Sequence, residues 1–369
     1  MIYFDIYGMF MPTSYKAGDR MKPSQLMHAL RTLNESELFY QRYRQAETDA
    51  KSLIVFLSEL DMEYVLREHL LIPEIPETIP QEFQEDWFFN ADTNQSIYVW
   101  KHNCFTPPIQ HHHNFFEVFY VLEGSCRHTV GSSDTLLHVG DCCLIQPGIE
   151  HSIDVPDTSI VIDILIRKST FRDHFFDVLR GDNIISSFFL STLYAQHALD
   201  YIIFHSHGDE RLRSLISEIY LEFFNKEEYY QELINSLMTF FYAKLLRSYQ
   251  KTCELPPYHS TDALKAIETI RYIQNNYQNI TLSSFAQAQH YSVEHSSRTI
   301  KALTGRTFSQ LLLQIRMDKA CELLRDTNIP VGEIAYQVGY MNPEHFIRKF
   351  KQFKTMTPSE YRKTSHKRK

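Results

Sequence analysis

The side chains best suited to recognition chemistry lie in two matching sets near the C-terminus. The first set is Glu294, His295, Arg298 and Lys301, and the second, 50 residues further on, is Glu344, His345, Arg348 and Lys351. Arginine can bind guanine through two hydrogen bonds, glutamate can accept one from the N4 amino group of cytosine, and lysine can neutralise a phosphate. A repeat with matching basic positions predicts a surface that binds double-stranded DNA.

A second group of chemically capable side chains lies in the first half of the chain. His111, His113 and Glu117 have the same parity, so an extended strand would point all three to one face. His151 follows a Pro-Gly turn in the sequence GDCCLIQPGIEH. These four residues form the second candidate site.

The second DNA-reading set lies in a predicted helix-turn-helix unit at about 330–353. Pro330 suits the start of a short helix, and Gly339, which has no Cβ, suits the left-handed residue that closes it. Asn342 can cap the next helix, whose Phe346 and Phe350 fall on the inward face while its basic residues fall outside. Helix, glycine-containing turn and basic helix is the order of a helix-turn-helix.

The first set lies in a matching unit at about 281–303, where Thr281 can cap the first helix and Ser292 the second. A helix of 18 residues is predicted between the two units, over 308–325. Its length of about 27 Å suits two recognition helices that are held roughly one DNA turn, about 34 Å, apart. One chain could therefore read two neighbouring segments of the major groove.

Charge is unevenly distributed along the 369 residues, whose formal net charge is −8. From Asp262 onward there are 17 Lys and Arg against 9 Asp and Glu, a net of +8, whereas the preceding 261 residues carry a net of −16. A basic module attached to an acidic one fits DNA binding that is confined to the tail. The basic run at 363–369 adds a nonspecific phosphate contact.

The spacing of apolar residues predicts an α+β multidomain chain. Residues 1–85 have helical spacing, and 86–168 contain short β-type runs between turn glycines, which indicates a sandwich or small barrel. Residues 169–255 return to helical spacing and are predicted to be a helical linker, whose helices could pair across a dimer or, equally well, pack against the barrel of the same chain. The prolines of CELPPYHST (253–261) precede an all-α domain at 262–369.

The six cysteines form no CxxC pair and no zinc-finger spacing, which indicates reduced thiols. The N-terminus lacks the basic start and long apolar core of a signal peptide, and no run reaches the length of a membrane span. A cytoplasmic location without membrane contact is therefore expected.

The histidine-rich region resembles the two sequence motifs of the cupin superfamily. The first motif, H-x-H-x3-E-x6-G, is met at 111–124, and the second, G-x5-P-x-G-x2-H, at 140–151. Gln146 stands where the second motif has its first proline, and Phe105 stands where a glycine usually opens the first. The resemblance implies a cupin-like β-barrel over 86–168.

In metal-dependent cupins the corresponding residues bind a divalent metal. By this resemblance the candidate ligands are His111, His113, Glu117 and His151, and imidazole and carboxylate groups suit Mn, Fe, Ni or Zn. Regulators with this barrel commonly use it as an effector pocket without metal, so the same four residues are also the candidate effector pocket. Purely structural histidines are the third interpretation.

The C-terminal region resembles the DNA-binding domain of the AraC/XylS family of transcription regulators. The matching residues are Arg316, Ala320, Leu323, Leu324, Ile334, Ala335, Val338, Gly339, Tyr340, Phe346, Arg348, Phe350, Lys351, Thr357, Pro358, Ser359, Tyr361 and Arg362. A cupin-like sensor is the common N-terminal partner of this tail, so the resemblance extends over most of 86–369. It implies a ligand-responsive regulator that binds promoter DNA.

The N-terminal halves of the recognition helices are expected to reach base edges. These base-contacting residues are Glu294, His295, Ser297 and Arg298 in the first unit, and Asn342, Glu344, His345 and Arg348 in the second. For Asn342 a pure helix cap is the favoured alternative. The residues expected to contact phosphates are Lys301, Arg306, Lys349 and Lys351.

The first unit departs from the family pattern. Ser296 and Ile300 stand where the family usually has leucine and phenylalanine. Because a serine at an inward position weakens packing, the first unit is expected to be the less stable of the two.

The sequence therefore predicts a cytoplasmic transcription regulator, not an enzyme, that binds promoter DNA and responds to a small molecule such as a sugar or another metabolite. The other expected partners are a second copy of the chain and, for an activator, RNA polymerase. Two alternatives stay open. One is a metal-dependent cupin enzyme or metal sensor fused to a DNA-binding domain, and the other is a constitutive DNA-binding protein whose barrel only mediates assembly.

Overall fold

A computed structural model of the protein describes residues 20–80, 82–89, 95–170, 183–195, 199–256 and 261–366. The chain divides into two compact units. The first unit holds Met1–Ile185 and Asp200–Pro257, and the second holds Ser186–Leu199 and Tyr258–Lys369. In the described part, no helix is both long enough and apolar enough to cross a membrane.

Several predicted segments lie partly outside the described residues. These parts are 1–19 and 81 of the N-terminal segment, 90–94 of the predicted barrel, 171–182 and 196–198 of the linker, 257–260 of the proline-containing boundary, and 367–369 of the basic run.

The described part of the N-terminal segment is helical, as predicted. Its helices are Pro23–Arg31, Glu35–Glu47, Ala50–Ser58, Met62–Arg67 and Glu85–Phe88, with a 3₁₀ turn at Pro76–Thr78. The side chains of Asn34, Asp49 and Asp61 accept hydrogen bonds from backbone amides in the first turns of three of these helices. Such caps satisfy amides that have no partner inside the helix, and so they fix where each helix begins.

The cupin region consists of antiparallel sheets, in agreement with the predicted α+β class. Its strands are β1 (Ile97–Lys101), β2 (Phe116–Glu123), β3 (Ser125–Val130), β4 (Ser133–His138), β5 (Asp141–Ile145), β6 (His151–Asp154), β7 (Ile160–Ile166) and β8 (Tyr201–His205). The five-stranded sheet has the order β1-β7-β2-β5-β8, and the three-stranded sheet has the order β4-β3-β6. Strands β2, β5 and β7 are almost entirely buried, which explains their nearly continuous apolar sequences.

The N-terminal helices share the hydrophobic core of these sheets. Phe39 and Tyr40 of helix Glu35–Glu47 are buried together with Phe119 of β2. Lys101 Nζ lies 2.6 Å from Glu37 Oε1, and both of these side chains are buried. A buried pair of this kind is costly to break, because the remaining charge would stay out of water. The N-terminal segment therefore packs as part of the same structure as the sheets.

The predicted helical linker is more varied than its sequence spacing indicates. Helices Glu210–Asn225 and Tyr230–Tyr249 form there as expected and pack against each other. Residues Tyr201–His205 instead form β8, which extends the large sheet by pairing with β5. Helix Ile184–Tyr194 lies almost entirely in the part of the chain that belongs to the second unit.

The second unit is all-helical in its described part. Its helices after the boundary are Thr261–Asn275, Leu282–Ala288, Val293–Thr304, Phe308–Asp326, Val331–Gln337, Pro343–Lys354 and Pro358–His366. The long helix Phe308–Asp326 serves two hydrophobic cores. Leu311 and Ile315 belong to the core under the first helix-turn-helix, and Met317 and Leu324 belong to the core under the second. The predicted strut between the two units is thus present.

Candidate nucleic-acid interface and ligand cavity

The second recognition helix, Pro343–Lys354, begins at a well-formed cap. Asn342 Oδ1 accepts hydrogen bonds from the amides of Glu344 and His345, at 2.8 and 3.3 Å. The cap interpretation thus describes the Asn342 side chain in this structure, while a base contact by the same residue stays a prediction. Phe346 and Phe350 are fully buried and hold the opposite face of the helix against the core.

Gly339 forms the turn of this second unit. Its φ of +84° lies in the left-handed region, which glycine adopts without strain. A Cβ at this position would lie 2.4 Å from the backbone oxygen of Gln278, so the turn also requires the missing side chain. Arg316 supports the contact by donating from Nε to Tyr277 O and from Nη2 to Gln278 O, at 2.9 and 3.0 Å.

The first recognition helix, Val293–Thr304, has a similar start and a poorer interior. Ser292 Oγ accepts a hydrogen bond from the amide of His295 at 3.1 Å. Ser296 is fully buried, and its hydroxyl has no hydrogen-bond partner among the residues that the structure describes. Leaving a buried hydroxyl unpaired costs free energy. The turn residue His290 has a φ of +58°, which is strained for a residue with a side chain.

Most of the predicted DNA-contacting side chains face solvent. The exposed ones are Glu294, His295, Arg298, Lys301, Asn342, Glu344, His345, Arg348 and Lys351. Ser297, Arg306 and Lys349 are half-buried. Arg306 also donates from Nη1 to the backbone oxygen of Leu193 at 3.2 Å, so part of its guanidinium already makes a contact within the second compact unit of the chain. Its phosphate contact stays a prediction.

The histidine site lies in the first compact unit, where two rings approach the same carboxylate oxygen. His113 Nε2 and His151 Nε2 each lie 3.0 Å from Glu117 Oε2. His111 is joined to His151 by an isolated backbone bridge. Strand β2 begins only at Phe116, so the two histidines of the first motif precede the strand that carries Glu117. All four predicted residues are nevertheless brought together.

The ring orientations of these histidines suit a bound cation. The Nδ1 atoms of His111, His113 and His151 face backbone carbonyl oxygens, which can only accept a hydrogen bond. These oxygens belong to Ile109, Phe115 and Ile149, at 3.0, 2.8 and 3.0 Å. Each Nδ1 therefore carries the proton, and in a neutral ring each Nε2 presents a lone pair. Metal-binding histidines are commonly oriented in this way by their second nitrogen.

Burial keeps two of these rings neutral. It lowers the pKa of His111 to about 3 and also lowers the pKa of His113. Ligand atoms of His111, Glu117 and His151 all lie within 4.8 Å of one another, and His113 is outside that set. In the described residues these three could hold a divalent cation, and His113 Nε2 lies 3.0 Å from the same glutamate oxygen.

A cavity of about 340 Å³ opens beside the histidine site. Its walls are largely apolar and include the aromatic side chains of Phe83, Trp87, Phe88, Trp100 and Phe115. The N-terminal helices contribute to the lining as well, through residues such as Tyr40 and Leu66. Concave, mostly apolar cavities with a few polar groups are typical of small-molecule sites.

Asp163 and His102 are polar lining residues that the sequence analysis missed. Asp163 lies in β7 and is buried, and its Oδ2 lies 2.8 Å from His102 Nδ1 and accepts a hydrogen bond from Trp100 Nε1 at 2.7 Å. The signal available in the sequence was a single acidic residue inside the apolar run SIVIDILI. A buried charge is rare enough to mark such a position.

Comparison with known proteins agrees with this arrangement. A family model described as a helix-turn-helix domain matches residues 285–364, and one described as a cupin domain matches residues 97–164. The uncharacterized HTH-type transcriptional regulator YisR of Bacillus subtilis (strain 168) is 37% identical over 99 residues, which are 27% of this chain and 34% of that protein. The chain thus spans about a third of the length of that relative.

Other relatives are similar over more of their length. The HTH-type transcriptional activator RhaS of Enterobacter sp. (strain 638) is 21% identical over 254 residues, which are 69% of this chain and 87% of that protein. Among solved structures, the C-terminal domain of AraT, a response regulator from Geobacillus stearothermophilus, is 37% identical and covers 29% of this chain and 88% of that chain, with a TM-score of 0.27. Because that score is low, the family assignment depends on the sequence matches and the family models.

The fold and the exposed repeated side chains define a protein with two helix-turn-helix units and a cupin domain. With the matches above, the chain carries an AraC-type helix-turn-helix domain and a cupin domain, and it is similar to proteins that are named as transcription regulators.

Proposed function

We propose that the protein is a transcription regulator that binds promoter DNA through both helix-turn-helix units and is controlled by a small molecule in the cupin domain. The observation that carries this proposal is the repeated pair of recognition helices. Each buries its apolar residues and leaves the same polar set, with Arg298 in one unit and Arg348 in the other, facing solvent.

The long helix between the units supports binding to two adjacent major-groove segments. Helix Phe308–Asp326 has 19 residues, which corresponds to a length of about 28 Å. Recognition helices in successive major grooves lie roughly 34 Å apart. One chain would then contact two groove segments on one side of the DNA, and a homodimer would contact four.

The cavity in the first unit supports control by an effector. Relatives of this chain are named as transcription regulators, and His111, His113 and Glu117 line a mostly apolar cavity, so we propose ligand binding and no catalysis. The effector would act by binding one arrangement of the protein better than another. Recruitment of RNA polymerase would follow if the protein is an activator, and promoter binding would place it in the cytoplasm.

The path of the chain supports coupling between effector and DNA. Strands β7 and β8 both belong to the large sheet, and the chain between them supplies Ser186–Leu199 to the second unit. Within that unit Leu190 and Tyr194 are buried in the core of the first helix-turn-helix. Tyr194 Oη also donates to Asp318 Oδ2 at 2.9 Å. A ligand that shifts β7 or β8 would therefore also shift the ends of the chain segment that joins these two strands.

A cation at His111, Glu117 and His151 is the second candidate function, and the protonated Nδ1 atoms favour it. A bound divalent metal would fix the glutamate and offer a coordination position to an effector. Elemental analysis of protein purified without added metal tests this candidate. A stoichiometric metal that is lost in His151→Ala supports it, and a metal-free protein that gains no stability from Mn, Ni or Zn rejects it.

DNA binding is tested by selecting fragments from a random-sequence library and measuring electrophoretic shifts. We expect Arg298→Ala/Arg348→Ala to weaken binding by at least about thirtyfold, because each arginine that binds a guanine contributes about 1–3 kcal/mol. Arg127→Ala, which removes an exposed arginine from β3, is the matched control. Unchanged binding by the double variant would reject the site, and a library without enriched sequences would reject the function.

A further inference from the structure

The carboxylate of Asp163 has one oxygen that is not satisfied by the protein. Its Oδ2 receives the contacts from Trp100 and His102, at 2.7 and 2.8 Å. Its Oδ1 has no hydrogen-bond partner in the described part of the chain, although the residue is only 1% exposed. Asp163 also lines the aromatic cavity. A buried acceptor at a cavity wall is a place where a ligand can supply the missing donor.

The surroundings of Asp163 favour a positively charged donor. Among the residues that the structure describes, no lysine or arginine lines the cavity, whereas Glu77, Glu117 and Asp163 do. The faces of Trp87, Trp100 and neighbouring phenylalanines can attract a cation through their π-electrons, most strongly when water is excluded. The same faces also provide apolar contacts for the body of a ligand.

Burial raises the pKa of Asp163, and the adjacent His102 opposes that change. Burial is the largest influence on His102, and it opposes the charged form, but the adjacent Asp163 carboxylate outweighs it and raises the pKa of His102. His102 therefore neutralises charge on the Oδ2 side of the carboxylate. The Oδ1 side has no such partner within the described residues.

We propose that the effector is a small molecule with an aromatic-sized apolar body and a protonated amine, and that the amine donates a hydrogen bond to Asp163 Oδ1. This inference rests on the proposed effector function of the cavity. A carboxylate in the same position would repel Asp163, and an alcohol would donate a hydrogen bond without the charge. Charge-assisted hydrogen bonds are about twice as strong as neutral ones, so the amine should be preferred over both.

Tryptophan fluorescence of the full-length protein can measure this preference directly. The chain contains two tryptophans, Trp87 and Trp100, and both line the cavity. Titrations with 2-phenylethylamine, 2-phenylethanol and phenylacetate compare one apolar body with three head groups. We expect the amine to bind at least about tenfold more tightly than the alcohol, and the carboxylate to bind most weakly. An alcohol or carboxylate that binds as tightly as the amine would overturn the proposal, as would failure of all three probes at millimolar concentration.

Variants assign the preference to Asp163. Asp163→Asn should reduce the ratio of amine affinity to alcohol affinity to within about threefold, because the amide keeps the size and loses the charge. Asp134→Asn, at an exposed aspartate of β4, is the control that should keep the full preference. If Asp163→Asn does not fold, the comparison of the three probes on the natural protein still decides the outcome. Loss of amine preference leaves the DNA shift unaffected, so failure of this inference can be distinguished from failure of the proposed function.

Discussion

The two helix-turn-helix units have the same outward face and different interiors. Ser296 of the first unit corresponds to Phe346 of the second, and the serine is buried with an unpaired hydroxyl while the phenylalanine fills the core. The turn residues differ in the same direction, since His290 has a strained positive φ and Gly339 has an unstrained one. The exposed side chains can therefore stay the same while the packing inside the two units differs.

The two cores also differ in where their residues come from. The core under the second helix-turn-helix consists of buried residues from Met317 to Phe350. The core of the first includes Leu190 and Tyr194, which lie far away in sequence, in the segment between β7 and β8. The helix-turn-helix with the poorer interior thus depends on the chain segment that follows β7 of the large sheet. We therefore expect effector binding to change the first unit more than the second.

Truncating the central side chain of each recognition helix should give the largest difference in stability between the two helix-turn-helix units. Phe346→Ala is expected to destabilise the second unit by about 3–5 kcal/mol, because it leaves a cavity in a filled core. Ser296→Ala removes only an unpaired hydroxyl and should be neutral or slightly stabilising. Native-state hydrogen exchange resolved by helix can measure both effects. Equal losses of protection in the two variants would contradict the difference in packing.

The turn residues should give the next largest contrast. Gly339→Ala is expected to cost about 2–4 kcal/mol, because the new Cβ would be strained at positive φ and would overlap Gln278 O. His290→Gly should change stability by less than about 1 kcal/mol, in the stabilising direction. Calorimetric unfolding of the full chain checks the pair. A harmless Gly339→Ala would show that the turn is looser than its contacts indicate.

The two arginines test whether the outward faces are equivalent. We expect Arg348→Ala to weaken DNA binding by about 1–3 kcal/mol. Arg298→Ala should have a smaller effect, because Arg298 Nη2 lies 3.9 Å from Glu294 Oε1 and must leave that ion pair to bind a base. Electrophoretic shifts on one selected fragment provide the comparison. A larger loss in Arg298→Ala would reverse the expected order of the units.

The helix caps should give the smallest contrast. Asn342→Ala is expected to cost about 1 kcal/mol, because its Oδ1 serves two backbone amides, and Ser292→Ala about half of that, because its Oγ serves one. Hydrogen exchange of the first turn of each recognition helix measures the difference. Greater fraying after Ser292→Ala would count against it.

Local patterns predicted much of this molecule from sequence. The repeated caps, the inward Phe346 and Phe350 and the separating helix were all predicted, because helical periodicity and capping depend on neighbouring residues. The strand Tyr201–His205 was missed, since its pairing with β5 is nonlocal and it follows a helix. The sequence also did not predict that Asp163 Oδ1 has no hydrogen-bond partner among the described residues, because this depends on Trp100 and His102 both contacting Oδ2. Contacts between distant segments were the part that sequence patterns did not contain.

A footprint of the protein on a selected DNA fragment is the most direct test that both units read DNA. Methylation interference should reveal two contacted major-groove patches about one helical turn, roughly 34 Å, apart. Arg298→Ala should lose contacts in one patch and Arg348→Ala in the other. A single patch, or loss of both patches in either variant, would contradict recognition by two separate units.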